Sequence, residues 1–155
     1  MKNQATVQMV ERILPTPEQQ AEDFGSAREA HRMETSEDYV ELIDDLIKST
    51  GEARLVDVAE RMGISQPSAG KTIARLQRDG LVTSAPYRSI FLTEEGKRLA
   101  NHCRQRHDTV YRFLIALGIP EKIAKRDSEG VEHHVSKETL AAFKRFIGSP
   151  DRHLK

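Results

Sequence analysis

Carboxylates and imidazoles recur at helical spacing in the segment Glu129-Gly130-Val131-Glu132-His133-His134. An α-helix turns about 100° per residue, so residues three and four positions apart lie on one face. Glu129, Glu132 and His133 should therefore point in one direction if the segment is helical. Two carboxylates and an imidazole are ligands that divalent metals of the first transition row accept. The spacing thus predicts one half of a metal site.

A second acidic pair, Asp38 and Glu41, has the same spacing far upstream, and His107 lies on a predicted helix between the two groups. With Glu129 and Glu132, this pair would bring four negative charges, which two divalent ions would balance. Without metal, the carboxylates would repel one another. Plainer alternatives remain open for each part. The acidic pair could be exposed charges, His107 a hydrogen-bonded core residue, and the two adjacent histidines a polar helix end.

The ligand types narrow the choice of ion. Oxygen-rich sites with a few imidazoles and no thiolate suit Mn²⁺ or Fe²⁺. The single cysteine, Cys103, has no other soft ligand near it in the sequence. It therefore excludes an intramolecular disulfide and a multi-cysteine zinc site.

The elements that must position these residues are mainly α-helical. The chain pattern predicts a winged helix-turn-helix DNA-binding domain followed by a helical dimerisation domain. Capping residues and apolar periodicity predict helices from Thr35 or Ser36 to Gly51, Leu55 to Met62, Gln66 to Asp79, Thr93 to Leu117, from Ile119-Pro120-Glu121 through the acidic segment, and Ser136 to Gly148, with strands at 81–85 and 90–92. The expected domains are an N-terminal extension (1–33) taken as a partly disordered arm, the DNA-binding domain (34–93), the metal-binding and dimerisation domain (94–148) and a C-terminal tail (149–155).

The second helix of the helix-turn-helix carries basic residues and no acidic ones between Gln66 and Arg78. The whole chain has 24 Lys+Arg and 24 Asp+Glu, so affinity for double-stranded DNA must come from such local clusters. A helix in the major groove contacts base edges from its N-terminal half while basic side chains hold phosphates. The candidate DNA contacts are Gln66, Ser68 and Thr72 for bases, Lys71 and Arg75 for bases or phosphates, and Arg88 at the wing. The alternative is a solvated basic face.

Composition excludes several classes of protein. No apolar run among the 155 residues approaches the roughly 20 needed to cross a bilayer, and no secretory signal is visible. We therefore expect a cytoplasmic protein that has no membrane partner. A metal-dependent hydrolase is a weaker alternative, because no partnered nucleophile and no glycine-rich phosphate loop stand out. We expect no enzyme activity and no small-molecule substrate.

Three motifs together resemble the diphtheria-toxin-repressor-like metalloregulators, and within that family its manganese-responsive members. They are Glu37-Asp38-Tyr39-Val40-Glu41, Arg106-His107 and the segment from Glu129 to His134, with the winged helix-turn-helix between them. The resemblance runs from about Ser36 to Phe146. Residues 1–33 precede the usual first helix of the family, as in its longer Gram-negative members.

The resemblance implies a two-metal manganese site in each subunit. On that pattern Asp38, Glu41 and His107 match ligands of one ion, His133 matches a ligand of the other, and Glu129 and Glu132 match carboxylates that serve both. Iron-responsive relatives carry Met and Cys where this chain has Asp38 and Glu129. The family further implies a homodimer that binds a palindromic operator and represses manganese uptake genes. An iron-responsive repressor is the nearest alternative, and a regulator that answers to an organic ligand or to no effector is another.

Overall fold

A computed structural model describes residues 13–149 of the chain, and residues 1–12 and 150–155 lie outside the described part. Its helices and strands are α1 (Pro17–Thr50), α2 (Leu55–Met62), α3 (Gln66–Arg78), β1 (Val82–Thr83), β2 (Phe91–Leu92), α4 (Glu94–Ala116), α5 (Glu121–Val131), a 3₁₀ turn (Glu132–His134) and α6 (Lys137–Gly148). The predicted mainly helical class with a winged helix-turn-helix is confirmed. None of the helices in the described part is long and apolar enough to cross a membrane.

The first helix begins far earlier than the sequence predicted. Thr16 caps it, because its hydroxyl accepts a hydrogen bond from the Gln19 amide while the Gln19 side chain accepts one from the Thr16 amide. Pro17 at the first helical position suits this start. Thr35 and Ser36, the predicted caps, instead lie inside the helix and donate to backbone carbonyls four residues back. The prediction of a start at Thr35 was wrong, and residues 17–33 are helical instead of forming a loose arm.

The helix-turn-helix and its wing follow the predicted order. Gly51 ends α1 and Gly63 ends α2, both in the left-handed conformation that favours glycine. The two strands pair antiparallel but are shorter than expected, with Ala53 bridging to Ile90 beside them. The core of this domain combines side chains from α1, α2, α3 and the wing, and also from α4: Tyr39, Val40, Ile43, Leu46, Ala53, Val58, Ile73, Leu76, Val82, Ile90, Leu92 and Ala100.

Helix α4 connects the DNA-binding domain to the C-terminal helices. It packs against α1 of the DNA-binding domain and against α5, α6 and the 3₁₀ turn. Phe113 of α4 stacks on Phe143 with ring centroids 3.8 Å apart, and Phe146 meets Phe113 edge-on at 5.4 Å. α4 thereby brings α1, α5 and the 3₁₀ turn around one region.

Candidate metal centre and nucleic-acid interface

The predicted trio of Glu129, Glu132 and His133 does not lie on one α-helix. α5 ends at Val131, and Glu132 and His133 belong to the tighter 3₁₀ turn that follows. Glu129 and Glu132 still face one common group of donors, as their helical spacing predicted, whereas His133 is directed to Asp38 and Glu37; the prediction that all three side chains share one direction was therefore wrong for His133. Glu132 and His133 consequently reach towards different neighbours.

One group of ligand atoms comes from α4, α5 and the 3₁₀ turn. His107, Glu129 and Glu132 each offer one atom within 4.8 Å of the others. His107 Nδ1 lies 3.4 Å from Glu132 Oε1 and 3.8 Å from Glu129 Oε1. Glu129 is 65% exposed at its side chain, whereas Glu132 is 1% exposed. The group therefore combines a buried carboxylate, that of Glu132, with the solvent-exposed carboxylate of Glu129.

A second group joins α1 to the 3₁₀ turn. Glu34, Asp38 and His133 also offer ligand atoms within 4.8 Å of one another. His133 Nε2 lies 3.1 Å from Asp38 Oδ1 and 3.8 Å from Glu132 Oε1. The last distance makes the two groups neighbours. Asp38 thus lies beside His133, whereas the resemblance had assigned it to the same ion as His107.

Glu41 faces the first group from α1. The pKa of Glu41 is raised from 4.5 to about 7, first by burial and then by the negative charges of Glu132 and Glu129. Glu132 has its pKa raised to about 7, first by burial and then by the charges of Glu129 and Glu37. A cation beside these two carboxyls would favour their ionised forms.

The donor set fits a hard divalent ion. Glu132 Oε2 is buried and has no hydrogen-bond partner among residues 13–149, and an unpartnered carboxylate oxygen is costly to bury. A cation would satisfy it. Cys103 does not compete, because it is buried, its pKa is raised to about 12 first by burial, and its sulfur lies 3.7 Å from Arg106 Nη2. The donors available at these two groups are therefore carboxylate oxygens and imidazole nitrogens.

Glu34, Glu37 and Arg106 lie at the site and were missed as functional candidates. Glu37 is buried and accepts hydrogen bonds from both terminal nitrogens of Arg106 and from His133 Nδ1, the last at 2.6 Å. Burial opposes the ionisation of Glu37, but the hydrogen bonds from His133 and Arg106 outweigh it and lower its pKa. Bonds to Asp38 and Glu37 in turn raise the pKa of His133 to about 10. Glu37 and Arg106 stood in the quoted motifs, yet spacing alone could not pair residues so far apart in sequence.

The candidate DNA contacts fall into two sets. Gln66, Ser68, Lys71 and Arg88 are exposed and Thr72 is half-buried. Arg75, however, points away from the exposed face: its Nη1 donates to Ser36 Oγ at 2.9 Å and lies 3.4 Å from Asp79 Oδ2. Arg75 therefore holds α3 against α1 and is less available to DNA than predicted. Tyr87, next to Arg88, is fully exposed at the tip of the wing and was not predicted.

Two family models match adjacent parts of the chain. "Iron dependent repressor, N-terminal DNA binding domain" matches residues 31–90, and "Iron dependent repressor, metal binding and dimerisation domain" matches residues 93–154. Among sequence relatives, the transcriptional regulator MntR of Escherichia coli O157:H7 is 53% identical over 133 residues, covering 86% of each chain. The HTH-type transcriptional regulator MntR of Bacillus subtilis (strain 168) is 36% identical over 104 residues, or 67% of this chain and 73% of that one.

Solved structures show the same fold. A manganese-dependent transcriptional repressor in complex with manganese superposes with a TM-score of 0.65 at 29% identity, covering 74% of this chain and 53% of its own. IdeR of T. acidophilum gives 0.64 at 25% identity, covering 73% and 54%. The chain thus spans about half the length of these solved chains. It belongs to the diphtheria-toxin-repressor-like family of metal-responsive, DNA-binding transcriptional repressors, in the group of MntR regulators, and is not an enzyme.

Proposed function

We propose that this chain is a Mn²⁺-activated repressor that holds two ions per subunit, binds a palindromic operator as a homodimer and represses manganese uptake genes. The proposed ligands are Asp38, Glu41, His107, Glu129, Glu132 and His133. Support for manganese comes from the hard donor set and from the manganese named for one structural relative. Fe²⁺ accepts similar ligands and is the alternative ion.

The observation that carries the proposal is that α1 serves both the DNA-binding core and the candidate metal centre. Ile43 and Leu46 of α1 are buried in the helix-turn-helix core. Within about two turns before them, Asp38 and Glu41 face side chains from α4 and the 3₁₀ turn. Any interaction that fixes these carboxylates against the C-terminal helices therefore also fixes the DNA-binding domain.

The bound ions would supply positive charge that neutralises the clustered carboxylates. His133 then presents Nε2, since Glu37 holds its Nδ1. Glu132, buried between His107 and His133, serves both groups. Without that charge, repulsion among Glu41, Glu129 and Glu132 opposes the packing of α1 on the C-terminal helices.

Fixing α1 matters because a dimer must place two recognition helices in major grooves about 34 Å apart, or a multiple of that distance. The contact from Arg75 to Ser36 makes α3 follow α1. A metal-free dimer samples several spacings and loses conformational entropy on binding DNA. A coupling free energy of about 1–3 kcal/mol gives roughly 5–150-fold regulation.

The test is DNA affinity as a function of metal. Operator-like duplexes would be selected from a random-sequence pool with Mn²⁺-loaded protein. Their affinity would then be measured at one fixed salt concentration, without metal and with Mn²⁺, anaerobic Fe²⁺ or Zn²⁺. We expect Mn²⁺ to raise affinity at least about fivefold and the selected sequences to be palindromic.

A variant pair makes the test specific. Glu129→Ala should remove the metal response, whereas Glu121→Ala, an exposed change at the other end of α5, should leave it intact. Equal DNA affinity with and without every metal would refute the proposal. An unaltered response in Glu129→Ala would instead favour a different effector, and a response to Fe²⁺ alone would favour the iron-responsive alternative.

A further inference from the structure

We propose that Glu34 is a further ligand of the ion held by Asp38 and His133, contributed by the part of α1 that precedes the family motif. This inference rests on the proposed function, since it adds a residue to the same metal centre. The motif that carries the family resemblance begins at Glu37, and Glu34 lies outside the six proposed ligands.

The uninterrupted course of α1 is the first argument. The helix runs through Glu34 without a break, so Glu34 and Asp38, four residues apart, lie on one face. That face meets His133, which is 2% exposed at its side chain. A carboxylate oxygen of each acidic residue and a ring nitrogen of His133 lie within 4.8 Å of one another. These are oxygen and nitrogen donors converging from two elements, as a cation site requires.

The surroundings of Glu34 supply a second argument. Its side chain is only 26% exposed, and its Oε2 lies 3.2 Å from His134 Nε2. His134 therefore orients the Glu34 carboxylate towards the 3₁₀ turn. Buried Glu132 places its Oε1 3.8 Å from His133 Nε2, the nitrogen that also faces Asp38, and its other oxygen, Oε2, has no hydrogen-bond partner in the described part of the chain. The cluster thus combines an oriented carboxylate with a histidine whose buried neighbour, Glu132, carries an unsatisfied oxygen.

A simpler role for Glu34 is an ion pair with His134. Such an interaction between partly exposed groups contributes little to stability, typically below about 1 kcal/mol. It would also make Glu34 irrelevant to metal binding. The two roles therefore predict different results in a metal titration.

The experiment is a Mn²⁺ titration of the full chain without DNA, in which electron paramagnetic resonance measures the free ion. Wild type is compared with Glu34→Gln, with His134→Gln, and with Asp38→Asn as the positive control. Glu29→Gln is the matched control, because Glu29 is an exposed residue of α1 and the change alters net charge identically. Circular dichroism confirms that each variant is folded.

We expect Glu34→Gln to lower the affinity for one of the two ions about tenfold or more, which is at least the effect typical of removing an indirect metal partner. The affinity for the other ion should not change. Glu29→Gln should match wild type, and His134→Gln should fall well short of Glu34→Gln. The inference is overturned if Glu34→Gln matches wild type while Asp38→Asn loses an ion, or if His134→Gln reproduces the full effect. If Asp38→Asn also matches wild type, the proposed metal centre itself fails.

Discussion

Replacing Glu37 with glutamine should weaken both the fold and the metal centre, because one carboxylate holds two cationic partners. Glu37 accepts from Arg106 Nη1 at 3.0 Å, from Arg106 Nη2 and from His133 Nδ1 at 2.6 Å. The side chains of Glu37 and Arg106 are 8% and 14% exposed. The substitution keeps the shape of the side chain and removes its charge.

The decrease in the free energy of unfolding can be estimated from the burial of the Glu37–Arg106 ion pair. Breaking a buried ion pair by removing one charge costs about 3–5 kcal/mol, since the remaining charge is left without compensation. Glutamine can still accept one hydrogen bond, so we expect the lower end, about 3 kcal/mol. For a chain of this size each kcal/mol shifts the melting temperature by about 2–4 °C, which gives a decrease of roughly 6–12 °C.

Metal affinity should fall as well. The carboxylate of Glu37 accepts from His133 Nδ1, so that on losing its other proton His133 would present Nε2, beside Asp38, to a metal ion. Removing such a partner of a ligating histidine typically lowers metal affinity 10–100-fold. The effect on affinity is therefore separable from the effect on stability.

The assay combines denaturant unfolding of the metal-free protein with a Mn²⁺ titration. Glu95→Gln is the control, since Glu95 pairs with Arg98 on the surface with a side chain 61% exposed, and it should change the free energy of unfolding by less than about 0.5 kcal/mol. The reasoning is refuted if Glu37→Gln is as stable as that control and binds Mn²⁺ with wild-type affinity.

Three other expectations follow from separate features. Burial is the chief cause that raises the pKa values of Glu41 and Glu132 from 4.5 to about 7 on folding. Between those pH values the folded metal-free protein therefore binds more protons than the unfolded chain, so its free energy of unfolding, measured in denaturant, should fall as pH rises from 4.5 to 7. Saturating Mn²⁺ should remove this decrease. Lys71→Ala should weaken DNA binding similarly for all sequences and reduce the salt dependence of log affinity by about one unit, as binding at several salt concentrations would show; a change in sequence preference alone would contradict a phosphate contact. Gly96→Ala should destabilise by at least about 1–3 kcal/mol, because a Cβ there would lie 2.1 Å from a backbone carbonyl oxygen, whereas Gly130→Ala, with open space around its Cβ, should be tolerated in thermal unfolding.

Local signals predicted most helices correctly because they act within a few residues. Ser136 caps α6, Thr93 caps α4 and Gly51 ends α1, each as its sequence context suggested. The start of α1 escaped prediction because Thr35 and Ser36 carry the hydroxyls that favour caps. Inside a helix the same hydroxyls bond to carbonyls four residues back, and only the surrounding chain decides between the two states.

The sequence could predict which residues form the candidate site but not which of them contact one another. Hard ligands at helical spacing indicated which residues could meet a cation. Their division into two groups depended on the 3₁₀ turn after Val131, which helical periodicity does not reveal. Glu34 was overlooked because the helix was expected to begin after it. The bond from Arg106 to Glu37 spans 69 residues of sequence, a distance over which spacing carries no information about contact.

The unbroken length of α1 has a mechanical consequence. Its 34 residues make a rod about 51 Å long at 1.5 Å per residue. Asp38 and Glu41 lie about two thirds of the way along it, close to Ser36, which accepts the hydrogen bond from the recognition helix. A tilt of about 5° at the level of Asp38 moves the recognition helix little but swings the N-terminal end of α1, 21 residues earlier, through roughly 3 Å. A spectroscopic label near the exposed Phe24 would therefore report a reorientation of α1 whose displacement at the recognition helix is too small to measure.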